Sequence, residues 1–379
     1  GIGHQISHGL RSGTIIDMER TESTIRSTIE AAEKMAGENI RNVIVNVSCG
    51  DPASHTVGVD IPVTGNEIDD ADVRRVLDQG TARSDNGERE VIHAIPVTYT
   101  VDGTSGIRDP RGMYGERMSV NMHVVSALRG PLRNLEAVIR RCHLDLEGVV
   151  VSPYAAALGC LSEEEKALGV TCIDMGGGTT SISVFFDGEL VHIDSIAVGG
   201  VHVTNDIARG LSTPLVHAER MKTLYGSAIP TPSDDHEIIK VPLIGEEESG
   251  ETNQVPRSVL IGIIRPRIEE TFEMIRGRLV DAGFDKVAGR RIVLTGGASQ
   301  LPGVREMAAS ILDKQVRHGR PRPIQGLAES VSGPAFATSA GLLHFAFNNP
   351  AEEAKSAYRP VNEPSGRFAR LGQWLRENF

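Results

Sequence analysis

The stretch Ile173-Asp174-Met175-Gly176-Gly177-Gly178-Thr179-Thr180 is the most informative part of this sequence. The apolar residues before it predict a buried strand, which brings one carboxylate to the start of a glycine turn. Glycines let backbone N–H groups close on a phosphate with no side chain in the way, and the two threonine hydroxyls add donors. Asp174 is placed to hold Mg²⁺ through water, because Mg²⁺ keeps much of its hydration shell. The pattern predicts a site for a phosphate and its metal ion, with a plain glycine hairpin as the alternative.

A second glycine turn follows another apolar strand about 120 residues later, in Leu294-Thr295-Gly296-Gly297-Ala298-Ser299-Gln300-Leu301-Pro302-Gly303. Ligands of α/β sheets bind at the carboxyl ends of strands, where glycines let a base or ribose lie against the backbone. Gly296, Gly297 and Ala298 are therefore candidate nucleotide-binding residues. By itself this motif is equally typical of a tight turn. The motif supports a nucleotide site because it follows a strand, as the first turn does.

Composition restricts the classes of protein to which the chain can belong. Its 379 residues suffice for two or more domains, and 40% hydrophobic with 23% charged residues is ordinary for a globular protein. The net charge of −11 argues against broad nucleic-acid binding, which needs a basic field. The sequence contains no apolar run long enough to span a bilayer. The four cysteines lack metal-ligand spacing, so we expect buried, reduced thiols.

Hydrophobic periodicity indicates two α/β cores, the first of which is interrupted by an insertion. A helix with one apolar face between residues 25 and 36 ends at Gly37 and precedes the apolar strand 43–47. The βα alternation stops at residue 48, resumes after residue 126, and a second βα core begins near Gly169. The intervening segment has Gly, Pro and Asp turns between three predicted strands and a short helix: Val57–Val63, Val91–Val101, Met118–Val125 and Ile68–Leu77.

Together these motifs resemble the actin/Hsp70/sugar-kinase superfamily, and within it the similarity is closest to FtsA, a family of bacterial cell division proteins. Asp174–Thr180 is similar to the second phosphate loop of the superfamily, and Thr295–Pro302 is similar to its adenosine motif. Ala218–Gly226 resembles the A-E-x-x-K-x-x-Y/H-G stretch of FtsA. This resemblance implies that Glu219 and Lys222 reach the ribose and adenine. Without the family, the two residues would be an exposed helix pair at i and i+3.

The resemblance covers nearly the whole chain and implies an α/β, actin-like (ribonuclease H-like) fold of two halves. An inserted α+β subdomain and a C-terminal amphipathic helix complete it. The insertion lies where FtsA carries its distinctive small domain. The expected segments are a first core, 1–47 and 127–168; the insertion, 48–126; a second core, 169–204 and 289–347; its subdomain, 205–288; a linker, 348–366; and a membrane-targeting helix, 367–379.

Two departures from the family pattern affect the expected nucleotide site. The first phosphate loop of the family, an Asp-x-Gly-Thr turn on an N-terminal hairpin, has no counterpart in a chain that opens at Gly1, so we expect a first core without that hairpin. Ser152–Ala157 resembles the segment that connects the two halves. Ser152, however, stands where the better ATPases of the superfamily have an acidic or amide residue, and serine is a poor general base. We therefore expect an ATP-binding switch with slow or negligible hydrolysis.

The last residues have a pattern typical of a helix that lies on a membrane surface. At about 100° per residue, Phe368, Leu371, Leu375 and Phe379 share about a third of the helical wheel, and Trp374 borders it. Arginines flank this face, where they can reach anionic headgroups: Arg367, Arg370 and Arg376. A helix docked on its own core or on another protein is the alternative. The polar linker before the helix favours the membrane.

The resemblance to FtsA implies a self-assembling filament protein of cell division that binds ATP and Mg²⁺. It would tether the C-terminal peptide of FtsZ to the inner face of the cytoplasmic membrane at the septum and recruit later division proteins through the inserted subdomain. Arg265, Arg267 and Arg276 are candidates to meet the acidic FtsZ peptide. A sugar-kinase-type phosphotransferase and a pilus-assembly actin homologue are the alternatives, although the sequence offers no convincing catalytic Asp for a kinase.

Overall fold

The structure is a computed structural model that describes residues 1–63, 67–84, 87–245, 252–286, 289–326 and 329–348. The expected linker beyond residue 348 and the expected membrane-targeting helix, 367–379, lie outside these residues. Within the six ranges, no helix has the length and apolar character needed to cross a membrane.

Strands and helices alternate along most of the described chain. The strands are β1 (Leu10–Arg11), β2 (Thr14–Ile15), β3 (Asn42–Val47), β4 (Ala53–Pro62), β5 (Arg89–Val101), β6 (Thr104–Ile107), β7 (Arg117–Leu128), β8 (Asp145–Val151), β9 (Val170–Met175), β10 (Thr180–Phe186), β11 (Glu189–Ile196), β12 (Ile238–Pro242), β13 (Thr252–Pro256), β14 (Arg291–Thr295) and β15 (Gln315–His318). The α-helices are α1 (Met18–Ala36), α2 (Asp70–Ser84), α3 (Arg129–Arg141), α4 (Ser152–Cys160), α5 (Glu163–Leu168), α6 (Gly200–Leu211), α7 (Leu215–Tyr225), α8 (Arg257–Asp281), α9 (Val304–Leu312) and α10 (Ala337–Asn348).

Local sequence explains where the long helix α1 begins and ends. The Asp17 side chain accepts a hydrogen bond from Arg20 N at 3.1 Å, which caps the first turn. Gly37 ends the helix at a φ of 73°, as its position in the sequence predicts. Ile25 and Ile29, on the predicted apolar face, pack into a cluster shared with α3. Helix α1 therefore covers one side of the first half.

The second half is built on a five-stranded sheet in the order β11-β10-β9-β14-β15. Strands β9 and β14 run parallel, so their carboxyl ends lie at the same edge, and Asp174 is paired in register with Thr295. The antiparallel strand β10 follows β9 directly through the glycine turn. Helices α6 and α8 cover one face through a buried cluster that includes Ile207 and Phe272. Helix α6 spans the expected boundary between residues 204 and 205.

The described part of the first half contains one parallel strand pair, β3 with β8, next to α3. Helix α4 leads from this pair towards the second half and packs closely on α10, since a Cβ on Gly341 would lie only 1.7 Å from Ala155 O. A short hairpin of β1 and β2 precedes α1. Its turn, Ser12-Gly13, is not of the Asp-x-Gly-Thr type.

The inserted subdomain is an antiparallel sheet in the order β4-β7-β5-β6, with α2 packed on it. The sequence predicted three of these strands and missed β6, a four-residue strand after a turn at Asp102-Gly103. Helix α2 begins at Asp70 rather than at Ile68, which is buried just before it. Ser54 Oγ accepts a hydrogen bond from Ile193 N at 2.8 Å and joins the insertion to the second half. The predicted α/β architecture with an α+β insertion is confirmed.

Candidate phosphate-binding cleft

A cleft of about 730 Å³ lies between the two halves. The second half contributes both glycine turns and one side of α6, and the first half contributes the β1–β2 turn and the ends of β3 and α4 that face the cleft. The structure thus brings together two motifs that are far apart in sequence. The predicted residues that line the cleft are Asp174, Gly176, Gly177, Gly178, Thr179, Gly296 and Gly297.

Hydrogen bonds hold the first glycine turn against the start of α6. Gly176 N donates to Thr179 O at 2.9 Å, and Gly200 N donates to Gly176 O at 3.0 Å. The amides of Gly177, Gly178 and Thr179 donate to no acceptor among the described residues. They are available to an anion, and the positive end of the α6 dipole lies beside them. The turn therefore has the properties expected of a phosphate site.

The two threonines of the motif have different surroundings. Thr179 lines the cleft, as predicted. Thr180 is fully buried, and its hydroxyl donates to Val198 O at 2.8 Å. The prediction that the Thr180 hydroxyl reaches a phosphate is therefore corrected, because that hydroxyl holds the turn against the segment before α6.

Asp174 lies partly buried between the two glycine turns. Its Oδ2 accepts a hydrogen bond from Thr338 Oγ1 at 3.0 Å. Burial raises the pKa of this carboxyl to about 6, and the hydrogen bond offsets part of that effect. Across the described ranges, no cationic side chain pairs with Asp174 and no three potential ligands surround a metal position. One carboxylate without a counter-ion fits a cation that keeps most of its water shell, as Mg²⁺ does.

Gly296 allows the second turn to pass directly beside Asp174. Its φ of 85° and ψ of 162° define a backbone conformation that is almost confined to glycine. A Cβ at this position would lie 2.3 Å from Asp174 Oδ1 and 2.4 Å from Met175 O. The contact between the two strand ends therefore requires glycine at residue 296. The next residue, Gly297, lines the cleft without this constraint.

Glu219 and Lys222 lie on α7, behind the first turn of α6. Lys222 Nζ donates to Gly200 O at 3.0 Å and to Thr204 Oγ1 at 2.8 Å, and it pairs with Glu219 Oε2 at 2.7 Å. Ala298 is close by, since its Cβ lies 3.3 Å from a Cβ position built on Gly200. None of these three predicted residues lines the cleft. The structure places them next to the first turn of α6, which itself contacts the first glycine turn.

The first half lines the cleft with Asn46, Ser48, Ser152 and the β1–β2 turn, which together form the first-half wall. Most of this wall was not predicted from sequence. Asn46 Nδ2 donates to Ser152 Oγ at 2.9 Å, and the hydroxyls of Ser48 and Ser152 are 2.6 Å apart. A Cβ on Gly13 would lie 2.9 Å from Ser48 Cβ, so the β1–β2 turn rests on this polar group. The Ser-Gly pair at a hairpin turn was the available signal for this wall. Asn46 and Ser48 had no motif to mark them.

Arg267 lines the cleft as part of an ion pair. Its Nε donates to Asp206 Oδ2 at 2.6 Å and its Nη2 donates to Asp206 Oδ1 at 3.2 Å, which joins α8 to α6. Arg265 and Arg276 pair with glutamates of α8 at 2.7 Å and 2.9 Å. All three arginines nominated for an acidic peptide therefore have acidic partners within the chain.

Comparison with known proteins places these features in a family. Residues 171–341 match the family model "Cell division protein FtsA", and residues 50–126 match "SHS2 domain inserted in FTSA". The whole chain is 46% identical to cell division protein FtsA of Agrobacterium fabrum, of which it covers 86%. It is 33% identical to FtsA of Pseudomonas aeruginosa and 30% identical to FtsA of Escherichia coli, covering 91% of each.

Solved structures share the fold at low sequence identity. A structure of the PilM-PilN type IV pilus biogenesis complex matches with a TM-score of 0.60 at 18% identity, covering 89% of this chain and 88% of that one. MreB5 of Spiroplasma citri bound to ADP matches with a TM-score of 0.53 at 16% identity, covering 90% and 78%. These actin-like neighbours confirm the predicted fold.

Proposed function

Since this chain belongs to the FtsA family of bacterial cell division proteins, we propose that it is an actin-like filament protein whose cleft binds ATP with Mg²⁺. In this proposal the filament is tethered to the inner face of the cytoplasmic membrane, holds FtsZ at the septum and recruits later division proteins through the inserted subdomain. The nucleotide part depends on one observation above all. Asp174 is a carboxylate without a counter-ion in the described chain, and it lies between two glycine turns.

The phosphates are proposed to bind the amides of Gly177, Gly178 and Thr179. Adjacent N–H donors at the start of a helix attract anions through hydrogen bonds and through the helix dipole. MreB5, which shares the fold, is bound to ADP in its structure, and this supports a nucleotide as the ligand. The nucleoside is proposed to extend towards the second turn and the α7 pair: Gly296, Gly297, Ala298, Glu219 and Lys222.

Asp174 is proposed to hold Mg²⁺ through water, and the bound ion offsets the negative charge of the phosphates. Because the pKa of Asp174 is about 6, its carboxylate is mostly ionised near neutral pH and becomes protonated below pH 6. Metal-dependent binding should therefore weaken as the pH falls below about 6. The Ser152 hydroxyl shares hydrogen bonds with Asn46 and Ser48, and it is a poor base, so slow hydrolysis remains our expectation.

Calorimetric titration of the full chain with ATP tests the nucleotide proposal. We expect saturable binding in Mg²⁺ that weakens in EDTA. Asp174→Asn should weaken binding in Mg²⁺ by about tenfold or more, the scale of losing one charge-assisted contact. Asp187→Asn is the matched control, because Asp187 lies in a hairpin turn outside the cleft and asparagine tolerates its φ of 54°. Equal affinity for ATP in the wild type and Asp174→Asn would contradict the proposal.

The membrane tether is proposed from sequence, because residues 367–379 lie outside the described ranges. Four large apolar residues share one face of the expected helix, Trp374 borders it and three arginines flank it. So few inserting side chains bind a bilayer weakly as a single copy. Several tethers on one filament raise the effective concentration steeply. Membrane binding should therefore depend on assembly.

Co-sedimentation with anionic liposomes tests this tether. Phe368→Glu and Trp374→Glu each place a charge on or beside the apolar face, so both should release the protein into the supernatant. Gln373→Glu adds the same charge on the opposite face and should leave sedimentation nearly unchanged. Undiminished binding of the first two variants, or equal loss in all three, would refute insertion through this face.

The FtsZ peptide is proposed to bind the subdomain 205–288. Arg265 and Arg276 are about half exposed, with 49% and 47% of their side-chain surfaces accessible, whereas Arg267 is engaged in the cleft. An acidic peptide must compete with the glutamates that already pair with these two arginines. We expect Arg265→Glu and Arg276→Glu to weaken binding of a labelled FtsZ C-terminal peptide, measured by fluorescence anisotropy. Unchanged affinity in both variants would exclude this part of α8.

The sugar-kinase alternative requires a carboxylate that can accept a proton from a substrate hydroxyl. The described lining of the cleft contains two carboxylates, Asp174 and Asp206. Both carboxylate oxygens of Asp206 accept hydrogen bonds from Arg267, so this group is already engaged in an ion pair. Asp174 is proposed as the metal-holding group. The cleft therefore favours a nucleotide-binding switch over a phosphotransferase.

A further inference from the structure

We propose that Thr338 is a positioning residue for Mg²⁺, because its hydroxyl holds the Asp174 carboxylate so that one oxygen stays available to the water shell of the ion. Thr338 lies in the first turn of α10 and lines the cleft. The inference rests on the proposed binding of ATP with Mg²⁺. It adds to that proposal a residue that acts on the ion only through Asp174.

The two oxygens of the Asp174 carboxylate have different surroundings. Oδ2 accepts a hydrogen bond from Thr338 Oγ1 at 3.0 Å. Oδ1 lies beside the second glycine turn, since a Cβ built on Gly296 would be 2.3 Å away from it, and it accepts no hydrogen bond from the residues that the structure describes. A carboxylate that is fixed through one oxygen keeps the other for a water molecule of the ion. Thr338 therefore supplies the orientation, and Asp174 supplies the charge.

Other hydrogen bonds direct the Thr338 hydroxyl towards Asp174. A threonine within a helix often donates to the carbonyl four residues earlier, which for Thr338 is Pro334 O. That oxygen already accepts hydrogen bonds from Gly296 N at 3.1 Å and from Thr295 Oγ1 at 3.3 Å. A carbonyl oxygen has two lone pairs, so these donors leave none for a further bond. The Thr338 hydroxyl is thus left to Asp174, and the same contacts fasten the start of α10 to the second turn.

The packing of α10 keeps Thr338 in place. A Cβ on Gly341 would lie 1.7 Å from Ala155 O, and a Cβ on Gly159 would lie 2.1 Å from Ala337 O. Helices α4 and α10 therefore touch through their backbones, so a shift of α10 towards α4 meets a clash. A donor on so fixed a helix orients the carboxylate before the ion binds, which reduces the cost of ordering it on binding.

Substitution of Thr338 provides a matched test. Thr338→Val removes the hydroxyl and keeps the shape and β-branching of the side chain, whereas Thr338→Ser keeps the hydroxyl. Thr28→Val is the control, because Thr28 is a half-buried threonine of α1 outside the lining of the cleft, and its hydroxyl donates to Thr24 O at 2.7 Å. The affinity of the full chain for ATP is measured by calorimetry in Mg²⁺ and in EDTA.

We expect Thr338→Val to lower the affinity for ATP in Mg²⁺ by about tenfold, the scale for a residue that orients a metal-holding group. Its affinity in EDTA should stay nearly unchanged, because the hydroxyl acts through the ion. Thr338→Ser and Thr28→Val should both bind like the wild type. The inference is wrong if Thr338→Val binds normally in Mg²⁺, loses affinity equally in Mg²⁺ and EDTA, or is matched by Thr338→Ser. A wild-type chain that binds no ATP, or binds it equally well in EDTA, overturns the proposed function itself, which separates the two failures.

Chemical denaturation without nucleotide gives a second readout. Thr338→Val should lower the denaturation midpoint of the wild-type chain, since it leaves a buried carboxylate without its donor. The same substitution should have no such effect in the Asp174→Ala background, where the acceptor is absent. An equal shift in both backgrounds, or a shift in neither, would show that the hydroxyl does not act through Asp174 and would overturn the inference.

Discussion

The two walls of the cleft are built in different ways. The second-half wall stands on adjacent strands of a five-stranded sheet, where Asp174 and Gly296 meet through backbone geometry that leaves no room for a side chain. The first-half wall is a hairpin turn resting on a polar group formed by Asn46, Ser48 and Ser152. One wall is set by backbone packing and the other by a few hydrogen bonds. We therefore expect the second-half wall to be the more rigid of the two and to tolerate substitution less.

The largest effect should come from Gly296→Ala. A Cβ there would meet Asp174 Oδ1 and Met175 O at impossible distances, in a backbone conformation that alanine does not adopt. We expect nucleotide binding to be abolished and the free energy of unfolding to fall by roughly 3 kcal/mol or more. Calorimetry and chemical denaturation measure the two effects.

Gly297→Ala is the control for that variant. A Cβ at residue 297 has no neighbour closer than Ala335 Cβ at 3.7 Å, which is ordinary contact, and its φ is not positive. It should change the free energy of unfolding by less than about 1 kcal/mol. If the two variants behave alike, close approach of the strand ends does not define the second-half wall.

The contrast between the walls also explains what the sequence could predict. Asp174 and the three glycines after it are contiguous and follow a strand, so local pattern alone located them, and parallel β9 and β14 brought Gly296 to the same edge. The first-half wall joins residues 13, 46, 48 and 152, and the Asp206–Arg267 pair joins two residues that are 61 apart in the sequence. Such contacts depend on tertiary packing, which neither composition nor periodicity encodes. Thr180 was misassigned because a motif does not tell which hydroxyl is buried.

Asp174→Asn should separate stability from binding. The pKa of Asp174 in the folded chain is about 6, above the ordinary value, so ionisation of this group opposes folding. Its contribution to stability is largest near pH 4 and is lost as the pH rises to about 6. The variant should lose metal-dependent nucleotide binding. Its free energy of unfolding at pH 7.5 should nevertheless exceed that of the wild type by about 1–2 kcal/mol. Denaturation curves at pH 5 and pH 7.5 measure this difference, and a variant less stable at pH 7.5 would contradict the burial argument.

The Asp206–Arg267 pair should contribute an intermediate amount to the free energy of unfolding. Arg267→Ala breaks two hydrogen bonds between α6 and α8 in a partly buried setting, with side chains 23% and 28% exposed. We expect it to lower the free energy of unfolding by about 1–2 kcal/mol. Arg265→Ala, whose partner is one exposed glutamate of the same helix, should cost less than about 0.5 kcal/mol. Equal costs for the two variants would show that the cleft pair has no special role.

Ser48→Ala, in the first-half wall, should lower the free energy of unfolding less than Arg267→Ala does. Ser48→Ala removes the hydroxyl that lies 2.6 Å from Ser152 Oγ, while Asn46 still donates to Ser152. We expect a loss of about 0.5–1 kcal/mol. A loss above about 2 kcal/mol would indicate that this wall is as rigid as the other.

The central claim is that a nucleotide in this cleft controls attachment of the chain to a membrane. Co-sedimentation of the full chain with anionic liposomes, compared between a non-hydrolysable ATP analogue and ADP in Mg²⁺, tests it most directly. The account predicts more sedimented protein with the ATP analogue, because assembly multiplies the tethers, and no nucleotide dependence in Asp174→Asn. Equal sedimentation of the wild type with the ATP analogue, with ADP and without nucleotide would contradict it.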